Sequence, residues 1–276
     1  MTTNSTAQTQ LGWKRIARDI IVVQGNDAEK YLHSQLSQAV EGMPIGESRQ
    51  SLLLQPTGKL DAVLRVTRFA DTVFVLDTQQ GCAETVMARL NRFKIRVQAT
   101  IEQMPWQCVA LRGAGARAAA ESLNLAPSDG RIVPAWWGSD ETVDLIGATV
   151  SDVALDAVVE LTDAEFNALR IQSGWPAVGI DVEPGCVPGE TGLLGIAVSF
   201  SKGCYPGQEL VERMDSRAAV SPKQLRRITV SEGSQVGDAV VVDGVSAGVI
   251  TSVAGTFAIA RLSRDAHDYG EALQPT

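Results

Sequence analysis

Residues 202–209 read KGCYPGQE, and LVERM follows them. Pro206 suits the first turn of a helix, because the N–H that proline lacks would have no intrahelical partner there. Residues 208–214 are compatible with a continuing helix, so Cys204 is expected just outside a helix N-terminus. The unpaired amides of that end and the Lys202 ammonium would both stabilise a thiolate. These residues alone leave two interpretations open: a reactive or ligand-facing thiol, or a small buried apolar side chain in an ordinary turn.

The KGCYPGQE element closes a long glycine-rich segment, residues 169–214, in which glutamates alternate with apolar stretches. Irregular segments of this length inside a compact chain commonly line a site. A carboxylate there could accept hydrogen bonds from the N–H groups of a neutral heterocycle, and Trp175 or Tyr205 could stack against its ring. Glu190 and Glu209 are the favoured carboxylates, because glycines surround them. The segment is therefore predicted to form one wall of a ligand site.

Two further features of this segment concern the space around the thiol. Gly203 and Gly207 leave room for another backbone or a ligand to approach closely. Cys186 precedes Cys204 by 18 positions, and the sequence does not decide whether the two cysteines approach each other.

Upstream of residue 169 the chain alternates helices with strands that short turns connect. After an apolar stretch at 20–23, the first cycle predicts a helix that Asn26 or Asp27 caps and a second helix over 80–92, with strands at 51–55, 60–69, 73–78 and 93–101. The second cycle predicts a helix over 115–123, with strands at 106–113, 131–137, 142–150 and 154–161. A helix over 162–174 follows, with Thr162 and Glu165 as a capping box and Gly174 as its stop. Helices and antiparallel strands in two similar lobes indicate the α+β class.

After Pro222 the predicted secondary structure changes from alternating helices and strands to strands alone. Short strands separated by Gly, Asp and Ser are predicted at 224–230, 238–244, 245–255 and 256–262, without helical periodicity. We therefore expect residues 1–220 to form two α+β lobes and residues 221–276 a small C-terminal β-barrel domain. The ten polar residues at the start are expected to be disordered.

Composition narrows the classes of function. The chain has 276 residues and a net charge of −8, which disfavours nonspecific binding to nucleic acid or anionic membranes. It contains no apolar run of the roughly 18 residues that would span a bilayer, and its first residues lack secretion-signal features, so a cytoplasmic location is expected. Its four cysteines form no CxxC pair and it has only two histidines, which disfavours a metal site built by this chain alone. The common phosphate-loop, dinucleotide and zinc-protease motifs are missing.

The stretch VSFSKGCYPGQELVERM, residues 198–214, resembles the signature of the YgfZ family of folate-binding proteins, which is related to the T-protein (aminomethyltransferase) of the glycine cleavage system. The family pattern is KGC, an aromatic residue, any residue, GQE and a basic residue shortly after, which Arg213 supplies. Four other stretches are also similar to the family, at residues 52–66, 169–182, 188–200 and 247–255. The resemblance thus spans nearly the whole chain.

The resemblance implies two α+β lobes, a C-terminal barrel and a central cleft for tetrahydrofolate or a one-carbon derivative. It also implies a role in the assembly or repair of iron–sulfur clusters in client enzymes, including those that methylthiolate tRNA. Because the net charge of −8 disfavours contact with tRNA, nucleic acid is not expected as a direct partner. Cys204 is then the functional thiol. The residues expected to contact the folate are Lys202, Tyr205, Gln208, Glu209, Glu190, Trp175 and Arg213.

One departure bears on catalysis. The T-protein has a paired acidic element in the strand after its glycine turn, whereas this chain offers only Asp61, with Ala62 and Val63 where acids would fall. An aliphatic side chain cannot transfer a proton. Three hypotheses remain open: a folate-binding cluster-maturation factor, a folate-dependent one-carbon transferase, and a protein-binding scaffold whose folate cleft has degenerated.

Overall fold

The computed structural model describes residues 10–150, 155, 158–216, 221–266 and 268–273. Within these residues the strands are β1 Gly12–Ile16, β2 Arg18–Gln24, β3 Ser48–Leu54, β4 Leu60–Ala70, β5 Val73–Gln79, β6 Thr100–Met104, β7 Gln107–Arg112, β8 Arg131–Pro134, β9 Val143–Gly147, β10 Val159–Glu160, β11 Lys223–Thr229, β12 Ala239–Val242, β13 Val245–Ala254, β14 Phe257–Ser263 and β15 Glu271–Ala272. The helices are α1 Ala28–Gln35, α2 Ala83–Phe93, α3 Ala116–Ser122, α4 Asp163–Gln172, α5 Leu194–Ala197 and α6 Gln208–Ser216, with short 3₁₀ turns at Pro188–Thr191 and Arg264–Ala266. No helix in the described part is both long and apolar enough to cross a membrane.

The first lobe is a five-stranded antiparallel sheet with the order β3-β4-β5-β2-β6. Alternate residues of β4, Ala62, Leu64 and Val66, belong to the same buried core as Leu32 of α1 and Leu90 of α2. Strand β4 is buried on both faces, so its opposite face must also be covered by another part of the chain. The predicted meander of three strands is confirmed.

The second lobe is a sheet with the order β10-β1-β7-β9-β8, against which α3 packs. Strand β1 pairs with β7 antiparallel and with β10 parallel. The described chain therefore begins in the second lobe, crosses to the first at β2 and returns at β7, an interleaving that the linear pattern did not indicate. Of the predicted strand at 154–161, only Val159 and Glu160 are strand, and residues 154, 156 and 157 lie outside the described part.

A charged cluster buried between the two lobes joins them. Arg65 of β4 donates to Asp77 of β5 at 2.8 Å and to Asp144 of β9 at 2.9 Å, and Arg112 of β7 donates to Asp144 at 2.8 Å. Trp136 Nε1 donates to Asp77 at 2.6 Å. Burial alone would raise the pKa of the Asp144 carboxyl, but the guanidinium groups of Arg112 and Arg65 outweigh it and hold that pKa below its ordinary value. Each carboxylate in the cluster thus compensates a buried cation.

The third sheet has the order β12-β13-β14-β11-β15, with antiparallel neighbours throughout. The predicted barrel is not confirmed, because in the described residues this sheet is open, with β12 and β15 at its two ends. Helix α4 packs against β13 and β14. Arg170 of that helix donates to Asp181 at 2.8 Å and to Ser252 of β13 at 2.9 Å, which fastens the sheet to the preceding segment.

The residues predicted to cap or stop a helix are confirmed at α4, whereas Asp27 does not cap α1 through its side chain. The capping box of Thr162 and Glu165 is present at α4, and Gly174 lies just beyond its end with φ +74°. Asp27 precedes α1, but its carboxylate accepts the N–H of Gln98 at 2.7 Å instead of capping that helix. At the start of the chain, residues 1–9 lie outside the described part, as does His267 near its end.

Two predicted strands are wrong in part. The alternating segment 93–101 is strand only from Thr100, because the backbone turns at Arg96, which has φ +57°. The segment 131–137 is strand only to Pro134. Beyond that point the strand alternation is lost, so Trp136 and Trp137, which a strand would place on opposite faces, are both buried.

Candidate thiol site

Residues 202–207, the thiol loop, run beside the end of α1. The Lys202 ammonium donates to the carbonyls of His33 and Leu36, the latter at 2.6 Å, and lies 4.9 Å from the centre of the Tyr205 ring. Cations are favoured at such a helix C-terminus, where carbonyls lack partners. Burial lowers the pKa of Lys202 to about 8. The Lys202 ammonium thus anchors the thiol loop to the first lobe, a contact that the sequence did not predict.

A close backbone contact fixes the other end of the loop. Gly207 has φ +84°, and a Cβ built there would lie 2.6 Å from the carbonyl oxygen of Gln55 and 2.9 Å from Cα of Gly58. Both partners belong to residues 55–58, the 55–58 turn, which connects β3 and β4. The room that Gly207 was predicted to leave is occupied by this turn, whereas Gly203 has open space at its Cβ position.

Helix α6 begins at Gln208, so Pro206 lies in the preceding turn and not in the first helical turn. The left-handed conformation of Gly207 accounts for this difference, because a right-handed helix cannot pass through it. Cys204 is exposed, which agrees with the interpretation as a ligand-facing thiol and disagrees with the interpretation as a buried apolar side chain. The Sγ atom of Cys204 lies 3.6 Å from the side-chain amide nitrogen of Gln208. The side-chain amide oxygen of Gln208 accepts the backbone N–H of Tyr205 at 2.9 Å.

The thiol opens into a surface cavity of about 530 Å³, the thiol cavity. On the side of α6 it is lined by the predicted site residues Cys204, Tyr205, Gln208, Glu209 and Arg213, together with Gly207 and Leu210. Pro56 and Thr57 of the 55–58 turn complete its lining. The sequence predicted a short turn between the strands at 51–55 and 60–69 but did not connect it with the thiol, since only the folded chain brings the two segments together.

Charge at the rim of the thiol cavity comes from α6. Arg213 Nη2 lies 3.6 Å from Glu209 Oε2 one helical turn away, and both side chains are largely exposed. A carboxylate beside a guanidinium presents acceptors and donors side by side, which suits a ligand edge with both N–H and C=O groups.

Two other predicted ligand residues lie elsewhere. Trp175 is buried in the core, with its ring edge-on to Trp136 at 5.4 Å between ring centres. Glu190 lies in the 3₁₀ turn Pro188–Thr191 and lines a recess of only about 10 Å³ with Glu183 and Arg261. Burial, partly offset by Lys223, raises the pKa of Glu190.

The recess of Glu190 also answers the question of the second cysteine. Cys186 lines that recess and not the thiol cavity. Burial, with smaller contributions from Glu190 and Glu183, raises the pKa of the Cys186 thiol to about 12. The two cysteines thus line different cavities, of which that of Cys204 is large enough for a ligand.

Asp61, the one acid near the position of the T-protein pair, is held by its neighbours. Its carboxylate accepts the amide N–H of Gln55 at 2.8 Å and lies 3.5 Å from Arg89 Nε. Each oxygen of this carboxylate thus has one polar neighbour, an amide on one side and a guanidinium on the other. Among the described residues, no cluster of three or more His, Cys, Asp and Glu is arranged to hold a metal ion.

A second cavity, of about 340 Å³, lies between the lobes. The loop after β8 forms most of its wall through Trp136, Trp137 and neighbouring residues, and Gln50, Arg117 and Ile196 complete it. It contains none of the predicted site residues, so it serves as the comparison for any ligand test of the thiol cavity.

Comparisons with known proteins agree with this architecture. The family model described as GCVT N-terminal domain matches residues 19–154. A protein named tRNA-modifying protein YgfZ from Enterobacter is 29% identical over 222 residues, covering 72% of this chain and 66% of its own length. An uncharacterized protein of Haemophilus influenzae is 26% identical over 202 residues, covering 72% and 67%. The chain thus spans about two thirds of the length of these relatives.

Among solved structures, the glycine cleavage system aminomethyltransferase T from Bartonella henselae superposes with a TM-score of 0.77 at 20% identity, covering 93% of this chain and 79% of that one. At this identity the match establishes the fold alone.

Proposed function

We propose that this chain, a relative of the YgfZ proteins that matches the GCVT N-terminal domain family over residues 19–154, binds a tetrahydrofolate and acts through Cys204 in the maturation or repair of iron–sulfur enzymes. The tRNA-modifying name of its relatives fits an indirect role, in which the client is an iron–sulfur enzyme that modifies tRNA. With a net charge of −8, the chain is poorly suited to direct contact with tRNA.

The observation that carries the proposal is the exposed Cys204 thiol at the wall of a cavity of about 530 Å³ on a T-protein-like fold. Pockets for small ligands commonly range from roughly 300 to 1,000 Å³. The thiol cavity is large enough for the pterin ring of a folate, and its position leaves the sulfur accessible from solvent.

The rim of the thiol cavity has the chemistry that a pterin edge requires. A pterin presents an amino group and a ring N–H beside a carbonyl oxygen. The Glu209 carboxylate would accept from the N–H groups, and the neighbouring Arg213 guanidinium would donate to the carbonyl. The Tyr205 ring would form the inner wall against which the heterocycle packs.

Calorimetric titration with tetrahydrofolate under anaerobic conditions tests the binding step. We expect saturable binding with Kd near 1 μM, or about −8 kcal/mol. Glu209→Gln should weaken it about tenfold, as expected when a hydrogen bond to a charged group is lost. Glu232→Gln is the matched control, because Glu232 is exposed and lies outside the thiol cavity.

Substitution in the second cavity separates the two locations. If Arg117→Ala abolishes binding while Glu209→Gln leaves Kd unchanged, the folate lies in the cavity beside Trp136 and the assignment to the thiol cavity is wrong. Absence of heat at two temperatures would instead support a scaffold without a ligand.

The role of the thiol is tested in cells that depend on this protein for an iron–sulfur enzyme. Cys204→Ser should abolish the support of that enzyme while leaving folate binding within about twofold. Unchanged enzyme activity would refute the role of Cys204. Turnover of tetrahydrofolate with a one-carbon donor would favour the transferase alternative, which the aliphatic residues Ala62 and Val63 beside Asp61 disfavour.

A further inference from the structure

The side chain of Gln208, predicted from the sequence to contact folate, bridges two atoms of the thiol loop. Its amide oxygen accepts the backbone N–H of Tyr205 at 2.9 Å, and its amide nitrogen lies 3.6 Å from Sγ of Cys204. Gln208 is the first residue of α6, so its side chain turns back over the loop that leads into the helix.

The orientation of this amide follows from chemistry. A backbone N–H can only donate, so the group facing Tyr205 N must be the amide oxygen. The NH₂ group is then directed at the sulfur, where it acts as a donor. The assignment of oxygen and nitrogen, ordinarily ambiguous for a glutamine, is thereby fixed by the Tyr205 contact.

The framework that holds the bridge is rigid at both ends. Tyr205 is buried, and the Lys202 ammonium contacts its ring. The same ammonium donates a hydrogen bond to the Leu36 carbonyl at the end of α1. Gly207 lies against the 55–58 turn. The amide therefore faces the sulfur in a fixed geometry, and a hydrogen bond to an anionic acceptor is stronger than one to a neutral acceptor.

We propose that Gln208 is a positioning residue for Cys204, which holds the thiol toward the cavity and donates an N–H to the sulfur, so that the anionic, nucleophilic form is stabilised. The inference rests on the proposed function in taking Cys204 as the functional thiol. It changes the role of Gln208 from a folate contact to a residue that acts through the cysteine.

The test is the rate at which iodoacetamide alkylates Cys204 in the purified protein, followed by peptide mass spectrometry from pH 5.5 to 10. Gln208→Glu retains an oxygen for the Tyr205 N–H but replaces the donor with an anion beside the sulfur. Gln208→Met has similar length and retains helix propensity but removes both amide functions. We expect both variants to react about tenfold more slowly at pH 7, and their alkylation profiles to move to higher pH.

The matched control is Glu212→Gln on α6, which changes the charge of the helix by one and keeps the Gln208 amide; Glu212 is exposed and lies outside the lining of the thiol cavity. Its profile should stay within about twofold of wild type at every pH. All variants should react at one rate in denaturant, and their circular dichroism should match that of wild type.

Wild-type profiles for both Gln208 variants would overturn the proposal. A slow Gln208→Glu with a normal Gln208→Met would also overturn it, because only the added charge would then matter. Alkylation requires neither folate nor client, so a positive result here with no effect of Cys204→Ser in cells would refute the proposed function alone.

Discussion

Replacing Gly207 by alanine tests the contact that places the thiol loop on the first lobe. The added Cβ would lie 2.6 Å from the carbonyl oxygen of Gln55 and 2.9 Å from Cα of Gly58, both of which are backbone atoms that cannot rotate away. The position also has φ +84°, in the region that side chains other than glycine rarely adopt. Either the loop or the 55–58 turn must therefore shift.

The magnitude follows from two costs and one gain. Holding alanine in the left-handed region costs roughly 1–2 kcal/mol. Forcing a methyl into occupied space typically costs about 1–3 kcal/mol. The reduced entropy of the unfolded chain returns roughly 0.4–1 kcal/mol. We expect a net loss of about 2–4 kcal/mol in the free energy of unfolding, which lowers Tm by roughly 5–15 °C for a chain of this size.

Thermal unfolding followed by circular dichroism measures this loss, with Gly203→Ala as the matched control. Gly203 lies in the same loop, has no positive φ and has open space where its Cβ would be, so its substitution should change Tm by less than about 2 °C. Equal Tm values for the two variants would refute the close approach of Gly207 to the 55–58 turn.

Three further outcomes are expected. Asp144→Asn removes the carboxylate that two buried guanidinium groups share and should lower the free energy of unfolding by about 3–5 kcal/mol. Because the folded pKa of Asp144 is depressed, this carboxylate stabilises the fold fully above the unfolded pKa, and the stabilisation is lost as pH falls through the folded value. The Tm of the variant should therefore fall less steeply than that of wild type between pH 5 and 2. Thr162→Ala removes the side-chain half of the capping box and should lower the free energy of unfolding in urea by about 1 kcal/mol. At pH 8, iodoacetamide should modify exposed Cys204 before Cys186, whose pKa burial raises to about 12, as mass spectrometry of the two peptides would report; equal rates would contradict the burial of Cys186.

Sequence reasoning succeeded where the determinants are local. A capping box is formed by residues three positions apart, so Thr162 and Glu165 could be identified without knowing the fold. The predicted site residues between Cys204 and Arg213 lie on one loop and the helix that follows it, so the grouping of Cys204, Tyr205, Gln208, Glu209 and Arg213 in one cavity is also a local property.

The sequence was misleading where distant parts of the chain decide the outcome. Lys202 is two residues from Cys204, yet its ammonium binds carbonyls at the end of α1, about 170 positions earlier in the chain. Trp175 lies in the same glycine-rich segment as the thiol loop, but packing against Trp136 buries it in the core. No periodicity within a segment encodes such contacts.

The segments that line the thiol cavity determine whether a ligand and a client enzyme could occupy it at the same time. Its walls come from two separate segments, the 55–58 turn and the start of α6, and the thiol faces the space between them. A folate in that space would cover Sγ of Cys204, since the sulfur lines the cavity it would fill. Under the proposed function, a client could therefore reach the sulfur only before the folate binds or after it leaves. Because Lys202 and Gly207 fasten the loop to the first lobe, the loop is poorly placed to swing out and present the thiol while the ligand stays. Folate and client should then exclude one another at this site, which makes the ligand a regulator of access to the thiol.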